Sequence, residues 1–193
     1  DNFGNAYFHM NQKRGRRWSA TNAWLRPALG RPNLTVVTKA HATKLRLESK
    51  DGRRRATGLD YVVEGQGEAT ASARKAVILA AGAIGSPQLL MLSGIGPADH
   101  LQSLGIKPVL DSAGVGDNLQ DHLDCAIRLE ASQPVTLTPY LGLIKGGLAG
   151  AQYLLRGTGP ATSQGVEAGA FWGPDKNSSL PEWQAHLIVA LRN

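Results

Sequence analysis

The sequence predicts a protein of mixed α/β and α+β class, containing part of a doubly wound sheet that carries a β-meander. Residues 76–83 form a continuous apolar run, as expected of a strand covered on both faces. Residues 33–75 instead alternate between polar and apolar side chains, as half-buried antiparallel strands do. Helix-start and helix-stop residues follow the apolar run directly, which is the strand-to-helix order of a doubly wound domain.

The first third of the chain predicts one helix and then the meander. Residues 19–25 are helical in pattern, with Ser19 as the N-cap. This helix should end near residues 30–32, because Pro32 disfavours helix at the residue before it. The Asp51-Gly52 pair predicts a hairpin turn. We expect meander strands at residues 33–38, 42–49, 56–64 and 69–74.

The middle third predicts a buried strand followed by two helices. The strand covers residues 76–82, and the first helix begins at Ser86-Pro87. Serine is a favourable N-cap, and proline suits the first helical position. Gly94 is placed to end this helix in a left-handed conformation, and Gly105 to end a second helix over residues 97–104.

The last third predicts another helix and two more strands. Residues 141–155 form a glycine-interrupted helix that should end near Arg156-Gly157. Residues 165–172 and 184–190 have strand patterns, separated by a polar, proline-containing stretch.

Composition excludes several classes of protein. The 193 residues are 42% hydrophobic and 19% charged, which is typical of a folded globular chain rather than a disordered one. No apolar run approaches the roughly 20 residues of a membrane-spanning helix, so we predict no transmembrane segment. The single cysteine, Cys125, favours a cytoplasmic, reducing compartment, with association to a membrane surface left open. We expect its side chain to be buried.

The formal net charge of +6 raises the alternative of a basic binding module. Basic side chains cluster at residues 13–17 and at residues 53–55. The second cluster follows the Asp51-Gly52 turn, so a solvated hairpin tip is the simpler interpretation. No nucleic-acid recognition module is visible, and we predict no nucleic-acid partner. The histidines lack metal-ligand spacing, and we predict no metal site.

Residues 77–96 carry the strongest functional signal. A strand ending in Ala81-Gly82 leads through a glycine-containing turn into a helix. In open α/β sheets, ligands bind beyond the carboxyl ends of the strands, and small residues there let the backbone approach the ligand closely. The helix N-terminus adds unpaired N–H groups that suit phosphate. The pattern predicts a nucleotide-type site, although it equally fits a tight strand-to-helix packing corner without a ligand.

Residues 82–96, GAIGSPQLLMLSGIG, resemble the second signature of the glucose–methanol–choline oxidoreductase family. Residues 114–122, GVGDNLQDH, are similar to a downstream loop of the same family. Residues 15–28 and 31–35 resemble choline dehydrogenases and their bacterial alcohol-dehydrogenase relatives. These matches are collinear and span most of the chain, which is therefore identified as a member of this family.

The resemblance implies an FAD enzyme with a doubly wound FAD-binding domain and a substrate domain built on an antiparallel sheet. We expect residues 1–130 to belong to the first domain, with the meander at about 33–75, and residues 131–193 to the second. In this family the backbone of one residue meets the flavin adenine, a strand end lies beside the dinucleotide, and a loop lies close to the flavin and its entrance. The matching positions are, in that order, Ala42; Ala81 and Gly82; and Asn118, Asp121 and His122. A purely structural role for the loop is an equal alternative.

Glu167 matches the position at which choline-oxidising relatives place a carboxylate near the trimethylammonium group. A carboxylate with aromatic neighbours attracts a quaternary cation by charge and by cation–π attraction. Relatives that use alkyl or aromatic alcohols carry the same Glu-Ala-Gly sequence, so choline is one candidate among primary alcohols.

The resemblance implies that the intact protein oxidises a primary alcohol to an aldehyde by hydride transfer to flavin, with an unknown electron acceptor. The family's Gly-x-Gly-x-x-Gly turn and its catalytic histidine do not occur in these residues. We therefore expect an internal piece of a longer chain, without catalytic residues and inactive alone. The alternatives are a same-family oxidase or lyase, and a non-catalytic basic binding module.

Overall fold

The computed structural model describes residues 3–175 and 180–189. Contacts divide the chain into two compact units, one formed by Thr35–Cys125 and the other by Asp1–Leu34 together with Ala126–Asn193. Helices and antiparallel sheets are mixed, as the sequence predicts. The domain boundary at residue 130 stays a prediction.

The described residues form short and long elements, in this chain order: β1 (Gly4–Tyr7), β2 (Gln12–Lys13), β3 (Arg16–Arg17), a π-helical turn (Thr21–Leu25) that continues into α1 (Arg26–Ala28), β4 (Ala40–Lys50), β5 (Arg53–Val63), β6 (Gly67–Ser72), α2 (Gly82–Leu92), β7 (Ile95–Gly96), α3 (Ala98–Ser103), β8 (Leu110–Asp111), a 3₁₀ turn (Thr138–Leu141), α4 (Leu143–Arg156), a second 3₁₀ turn (Pro160–Thr162), β9 (Val166–Trp172) and β10 (Trp183–Ile188).

The predicted meander is the antiparallel sheet β4-β5-β6. Asp51 and Gly52 both have positive φ, 54° and 73°, which is the backbone that a two-residue hairpin turn requires. The predicted strand at residues 33–38 is wrong, because none of the described strands pairs with it. Lys39 has a φ of 54° and turns the chain just before β4 begins, so an extended run cannot continue through it.

The predicted strand over residues 76–82 is also wrong. None of the described strands lies beside residues 76–80, so the ladder of hydrogen bonds that defines a strand is absent there. The sequence also predicts that this segment is covered on both faces, and the described residues do not cover it in this way. Val77 and Leu79 are half-buried, whereas Ile78 is 86% exposed.

Helix α2 begins five residues earlier than the sequence predicts. Its N-cap is Ala81 rather than Ser86, and Pro87 lies inside the helix. The Ser86 hydroxyl still serves the helix start, because it accepts a hydrogen bond of 3.1 Å from the Ala81 N–H. Ser19 likewise makes no side-chain cap: the N-cap of the first helical turn is Ala20.

The predicted helix ends are confirmed. Gly94 follows α2 with a φ of 84°, and its N–H donates to the Met91 carbonyl. After α3, the Gly105 N–H donates to Gln102 and the Ile106 N–H donates to Leu101, which is the Schellman pattern of hydrogen bonds.

A buried serine joins the meander to helix α2. The Ser93 hydroxyl accepts the Leu45 N–H at 2.8 Å and donates to the Leu89 carbonyl at 2.6 Å. All three residues are at least 93% buried, and the side chain of Leu101 is completely buried. The core of this unit therefore lies where α2 ends against β4.

The second unit contains the antiparallel sheet β1-β9-β10 and helix α4. The two predicted C-terminal strands and the predicted helix are confirmed, although Ala190, the predicted end of the last strand, lies outside the described residues. Ala149 is the buried residue on α4, and Gly157 ends the helix with a φ of 65°.

A basic hairpin, formed by β2, β3 and the Arg14-Gly15 turn, packs against the C-terminal end of α4. A Cβ added at Gly15 would overlap the Gly157 carbonyl, and one added at Gly157 would come within 3.0 Å of the Arg14 carbonyl oxygen. The two backbones therefore approach as closely as glycine allows at both positions.

Two further observations concern membranes and redox chemistry. No helix in residues 3–175 and 180–189 is long and apolar enough to cross a bilayer. The expectation of a buried Cys125 is wrong, because this free thiol is exposed. Cys125 lies within residues 112–137, a stretch without helix or strand.

Replacing Ser93 with alanine should destabilise the protein by about 1–3 kcal/mol, because the buried Leu45 N–H then lacks an acceptor. Chemical denaturation of the purified protein measures this free energy. The matched control is Ser103→Ala, which removes an exposed hydroxyl bonded to the His100 carbonyl and should change stability by at most about 0.5 kcal/mol. Equal losses in the two variants would contradict the assignment.

Candidate functional site

The predicted nucleotide-type site lies at the start of α2. Gly82 has a φ of 80°, and a Cβ built on it would meet nothing within 4 Å. The described residues therefore leave the Cβ side of Gly82 open, and the positive φ favours glycine. A tight packing corner would fill this space with side chains. The open side of Gly82 is compatible with close approach of a ligand.

Ala42 lies on β4 beside a β-bulge. The register with β5 shifts between Ala42 and Lys44, and Ala42 itself pairs with Tyr61. The extra residue, Thr43, donates its hydroxyl to the Asp60 carbonyl at 3.0 Å. Bulges bend a strand and redirect the backbone beside them, so the bulge sets the position of the half-buried Ala42.

A polar cluster of one residue from each meander strand supports this bulge. The Asp60 carboxylate accepts hydrogen bonds from Arg46 Nε at 2.7 Å and from the Thr70 hydroxyl at 2.8 Å. The Arg46 hydrogen bond, followed by that of Thr70, holds the pKa of Asp60 below its ordinary value of 3.8. The ionised carboxylate therefore links β4, β5 and β6 beside Ala42 at neutral pH.

The loop predicted to lie near the cofactor has no helix or strand. Asn118 has a φ of 53°, a left-handed backbone that asparagine tolerates better than most residues. The Asp121 carboxylate accepts the N–H of His122 at 2.8 Å, and both side chains are exposed. The structure thus provides a local turn with two polar side chains free to meet solvent or ligand.

The predicted cofactor residues all fall in one compact unit. Ala42, the 81–82 corner and the loop at residues 118–122 belong to Thr35–Cys125. Within residues 3–175 and 180–189, no group of three or more His, Cys, Asp or Glu side chains could hold a metal ion. The candidate set consists of backbone groups at residues 42 and 81–82 and of the Asn118, Asp121 and His122 side chains.

Glu167 belongs to the other unit, on strand β9. In the described register it has no Cα partner on β10, because the pairing shifts between Leu187 and Ile188. On the other side, the Glu167 carbonyl accepts the Phe8 N–H at 2.8 Å. Glu167 is half-buried, and β-bulges often occur beside active sites, where they redirect a side chain.

The aromatic neighbour that the structure gives to Glu167 is Phe8. The Phe8 ring occupies the space over Gly169 and packs edge-on against His186, with centroids 5.2 Å apart. Trp172 points elsewhere, because it packs against Trp183 on the alternate side of the strand.

Sequence analysis missed Phe8, His186 and Ser93. The contact of Phe8 with β9 joins segments about 160 residues apart, and its register cannot be read from local patterns. The spacing of residues 167, 169 and 171 does indicate one face of a strand, and that signal could have been used. Ser93 follows a helix, a position that by itself does not distinguish a buried hydroxyl from an exposed one.

Comparisons with known proteins agree on one family. Residues 2–124 match the sequence profile of the GMC oxidoreductases. The oxygen-dependent choline dehydrogenase of Brucella ovis is 46% identical over 179 residues, covering 92% of this chain and 32% of its own. The chain thus spans about a third of the length of this curated relative.

Solved structures give the same result. Pyridoxine 4-oxidase from Mesorbium loti has a TM-score of 0.71 and 30% identity, covering 97% of this chain and 32% of its own. Formate oxidase of Aspergillus oryzae, a structure solved to study FAD modification, has a TM-score of 0.70 and 29% identity. That likeness covers 82% of this chain and 27% of the formate oxidase.

Replacing Arg46 with alanine should raise the pKa of Asp60 towards 3.8, because the strongest hydrogen bond to its carboxylate is lost. An NMR pH titration of the Asp60 carboxyl measures this change. Since the folded-state pKa is lowered, the stabilisation is complete above the unfolded value of about 3.9 and is lost as pH falls through the folded-state pKa.

Arg54→Ala is the control for this titration, because Arg54 pairs with Ser49 and is exposed without contacting Asp60. It should leave the Asp60 pKa unchanged. An Asp60 that titrates at 3.8 in the unaltered protein would contradict the assignment.

Proposed function

Because the chain belongs to the GMC oxidoreductase family, a family of FAD flavoproteins, we propose that the intact protein oxidises a primary alcohol to an aldehyde. The observation that carries the proposal is the 46% identity to an oxygen-dependent choline dehydrogenase over 92% of the chain. Choline and simple alkyl or aromatic alcohols are the candidate substrates.

In this proposal, the unit Thr35–Cys125 holds FAD through its backbone. Ala81 and Gly82 lie beside the dinucleotide, supported by the open space over Gly82. The backbone of Ala42 contacts the adenine, supported by the bulge that positions it. Bound FAD supplies the acceptor for a hydride, and these residues bind and orient it.

The loop at residues 118–122 borders the flavin and its entrance. Asn118 sets the turn by its left-handed backbone. Asp121 and His122 are exposed and can reach a ligand, while the Asp121 carboxylate also accepts the following N–H. Their role in this proposal is to close the polar edge of the cofactor site, rather than to transfer a proton.

Glu167 forms part of the substrate wall. Its half-buried carboxylate would attract a cationic head group, and the nearby Phe8 ring adds an aromatic surface. This pair favours choline over a neutral alcohol. Glu167 lies on the antiparallel sheet β1-β9-β10 and Phe8 directly follows β1, which fits the antiparallel sheet of this family's substrate domain.

We further propose that residues 1–130 are part of the doubly wound FAD-binding domain and residues 131–193 part of the substrate domain. The residues that remove the alcohol proton are not among these 193, so this stretch alone would not catalyse the reaction. Its part in the intact protein is to position the cofactor and the substrate.

An oxidase of the same family is the second candidate. It is supported by the names of the structural neighbours, a pyridoxine 4-oxidase and a formate oxidase. A lyase has no such support among these proteins. Comparing oxygen uptake with reduction of an artificial electron acceptor by the full-length protein distinguishes the dehydrogenase from the oxidase.

Replacing Gly82 with alanine should weaken FAD binding by about tenfold or more, because the new Cβ enters the space proposed for the dinucleotide. The FAD-to-protein ratio of the purified full-length protein and a flavin fluorescence titration measure this change.

The matched control is Gly52→Ala. Gly52 also has a positive φ, 73°, and open space over it, but it lies at a hairpin turn. Both variants should lose about 1–2 kcal/mol of stability from the left-handed backbone, whereas FAD affinity should fall in Gly82→Ala alone. Equal FAD affinity in the two variants would refute the cofactor assignment.

Replacing Glu167 with glutamine should raise the KM for choline by about tenfold, which corresponds to about 1.4 kcal/mol. The KM for benzyl alcohol should not change, because a neutral alcohol does not use the charge. Steady-state kinetics of the full-length protein with both substrates measure the difference.

Glu68→Gln, which neutralises an exposed carboxylate on β6, should leave both KM values unchanged. An unchanged KM for choline in Glu167→Gln would refute the role of Glu167 alone. No alcohol oxidation by the unaltered full-length protein, with either oxygen or an artificial acceptor, would refute the proposed function itself.

A further inference from the structure

The ring of Phe8 lies directly on the backbone of strand β9. Gly169 opposes Ala6 on β1 and His186 on β10, so these three residues form one row across the sheet. A Cβ built on Gly169 would overlap the Phe8 ring. The ring therefore occupies the space that any larger side chain at position 169 would need.

Phe8 is also held at its backbone and at its edge. Its N–H donates to the Glu167 carbonyl at 2.8 Å, and its ring meets the His186 ring at an angle of 62°, with the centroids 5.2 Å apart. The ring cannot move towards the sheet, because the Gly169 backbone lies there. It cannot move towards β10, because His186 lies there. All four residues belong to the same compact unit.

Phe8 and Glu167 are direct neighbours across β1 and β9. The preceding pair in the register is Tyr7 and Ala168, and the hydrogen bond from Phe8 to Glu167 continues it by one residue. Directly opposed residues of an antiparallel pair project from the same face of the sheet. The Phe8 ring and the Glu167 carboxylate therefore border the same space.

We propose that Phe8, lying on Gly169, limits the size of the substrate head group that binds at Glu167. This inference rests on the proposed function and adds a specificity-determining residue to it. A pocket rejects a larger ligand when a fixed group clashes with it. A head group that fits beside the ring is accepted, whereas a larger one meets a ring that cannot withdraw. Glu167 thus selects for charge, and Phe8 selects for size among cationic alcohols.

Packing alone is the alternative role for this ring. An aromatic side chain over a glycine in a strand also covers backbone that would otherwise be open. The placement of Phe8 directly across from the proposed substrate carboxylate favours a role in specificity. The two roles have different consequences, because lost packing lowers activity towards every alcohol, whereas a lost size limit changes the ratio between a large and a small one.

The test compares choline with the analogue in which a benzyl group replaces one N-methyl group. Both alcohols carry the same positive charge, so the ratio of their kcat/KM values depends on size rather than on charge. In Phe8→Ala of the full-length protein, the ratio of the benzyl analogue to choline should rise about tenfold or more, because the space of the ring is opened. Phe8→Leu fills more of that space and should raise the ratio less. It decides the question alone where Phe8→Ala does not fold.

Tyr7→Ala is the matched control. Tyr7 is the adjacent aromatic residue on β1 and opposes Ala168, so the alternation of the strand places it on the other face of the sheet. This variant should leave the ratio unchanged. An unchanged ratio in the Phe8 variants, or an equal rise in Tyr7→Ala, would overturn the size limit alone, while oxidation of choline by the unaltered protein would still support the proposed function. If the unaltered full-length protein oxidises no alcohol, the proposed function fails and this inference fails with it.

Discussion

The hydrogen bonds of the Ser93 hydroxyl connect the two parts of the unit Thr35–Cys125 that carry the proposed cofactor contacts. One bond reaches the Leu45 N–H in β4, three residues after Ala42, and the other reaches the last turn of α2, the helix that begins at Gly82. Because all three residues of this contact are buried, water cannot replace either bond. The proposed adenine contact and the proposed dinucleotide corner therefore belong to elements held at a fixed mutual distance.

Local signals in the sequence predict the elements whose formation is itself local. The Asp51-Gly52 turn, the glycines that end α2 and α3, and the helix before Gly157 all follow from backbone preferences of a few residues. The two wrong strand predictions concern structure that depends on distant segments of the chain. Residues 33–38 and 76–82 have strand composition, but a strand also needs a partner for its ladder, and composition does not report whether one is present.

The family resemblance predicts which segments form the candidate site, but it does not predict which residues contact one another. The signature at residues 82–96 locates the corner, yet it does not show that Ser86 acts from inside the helix rather than at its N-cap. Glu167 was located by its match to relatives, whereas Phe8 comes beside it only through the pairing of β1 with β9. Contacts between distant segments depend on register, and register is set by the whole sheet.

The close approach of Gly15 and Gly157 has a consequence for how this protein can vary among its relatives. A methyl group on Gly15 would overlap the Gly157 carbonyl, one on Gly157 would come within 3.0 Å of the Arg14 carbonyl oxygen, and both backbones are left-handed. Neither glycine can therefore be substituted without moving the other segment. A one-residue insertion in the hairpin would move the turn away from the C-terminal end of α4. We expect the hairpin and the helix end to change together among relatives, although about 140 residues of sequence separate them.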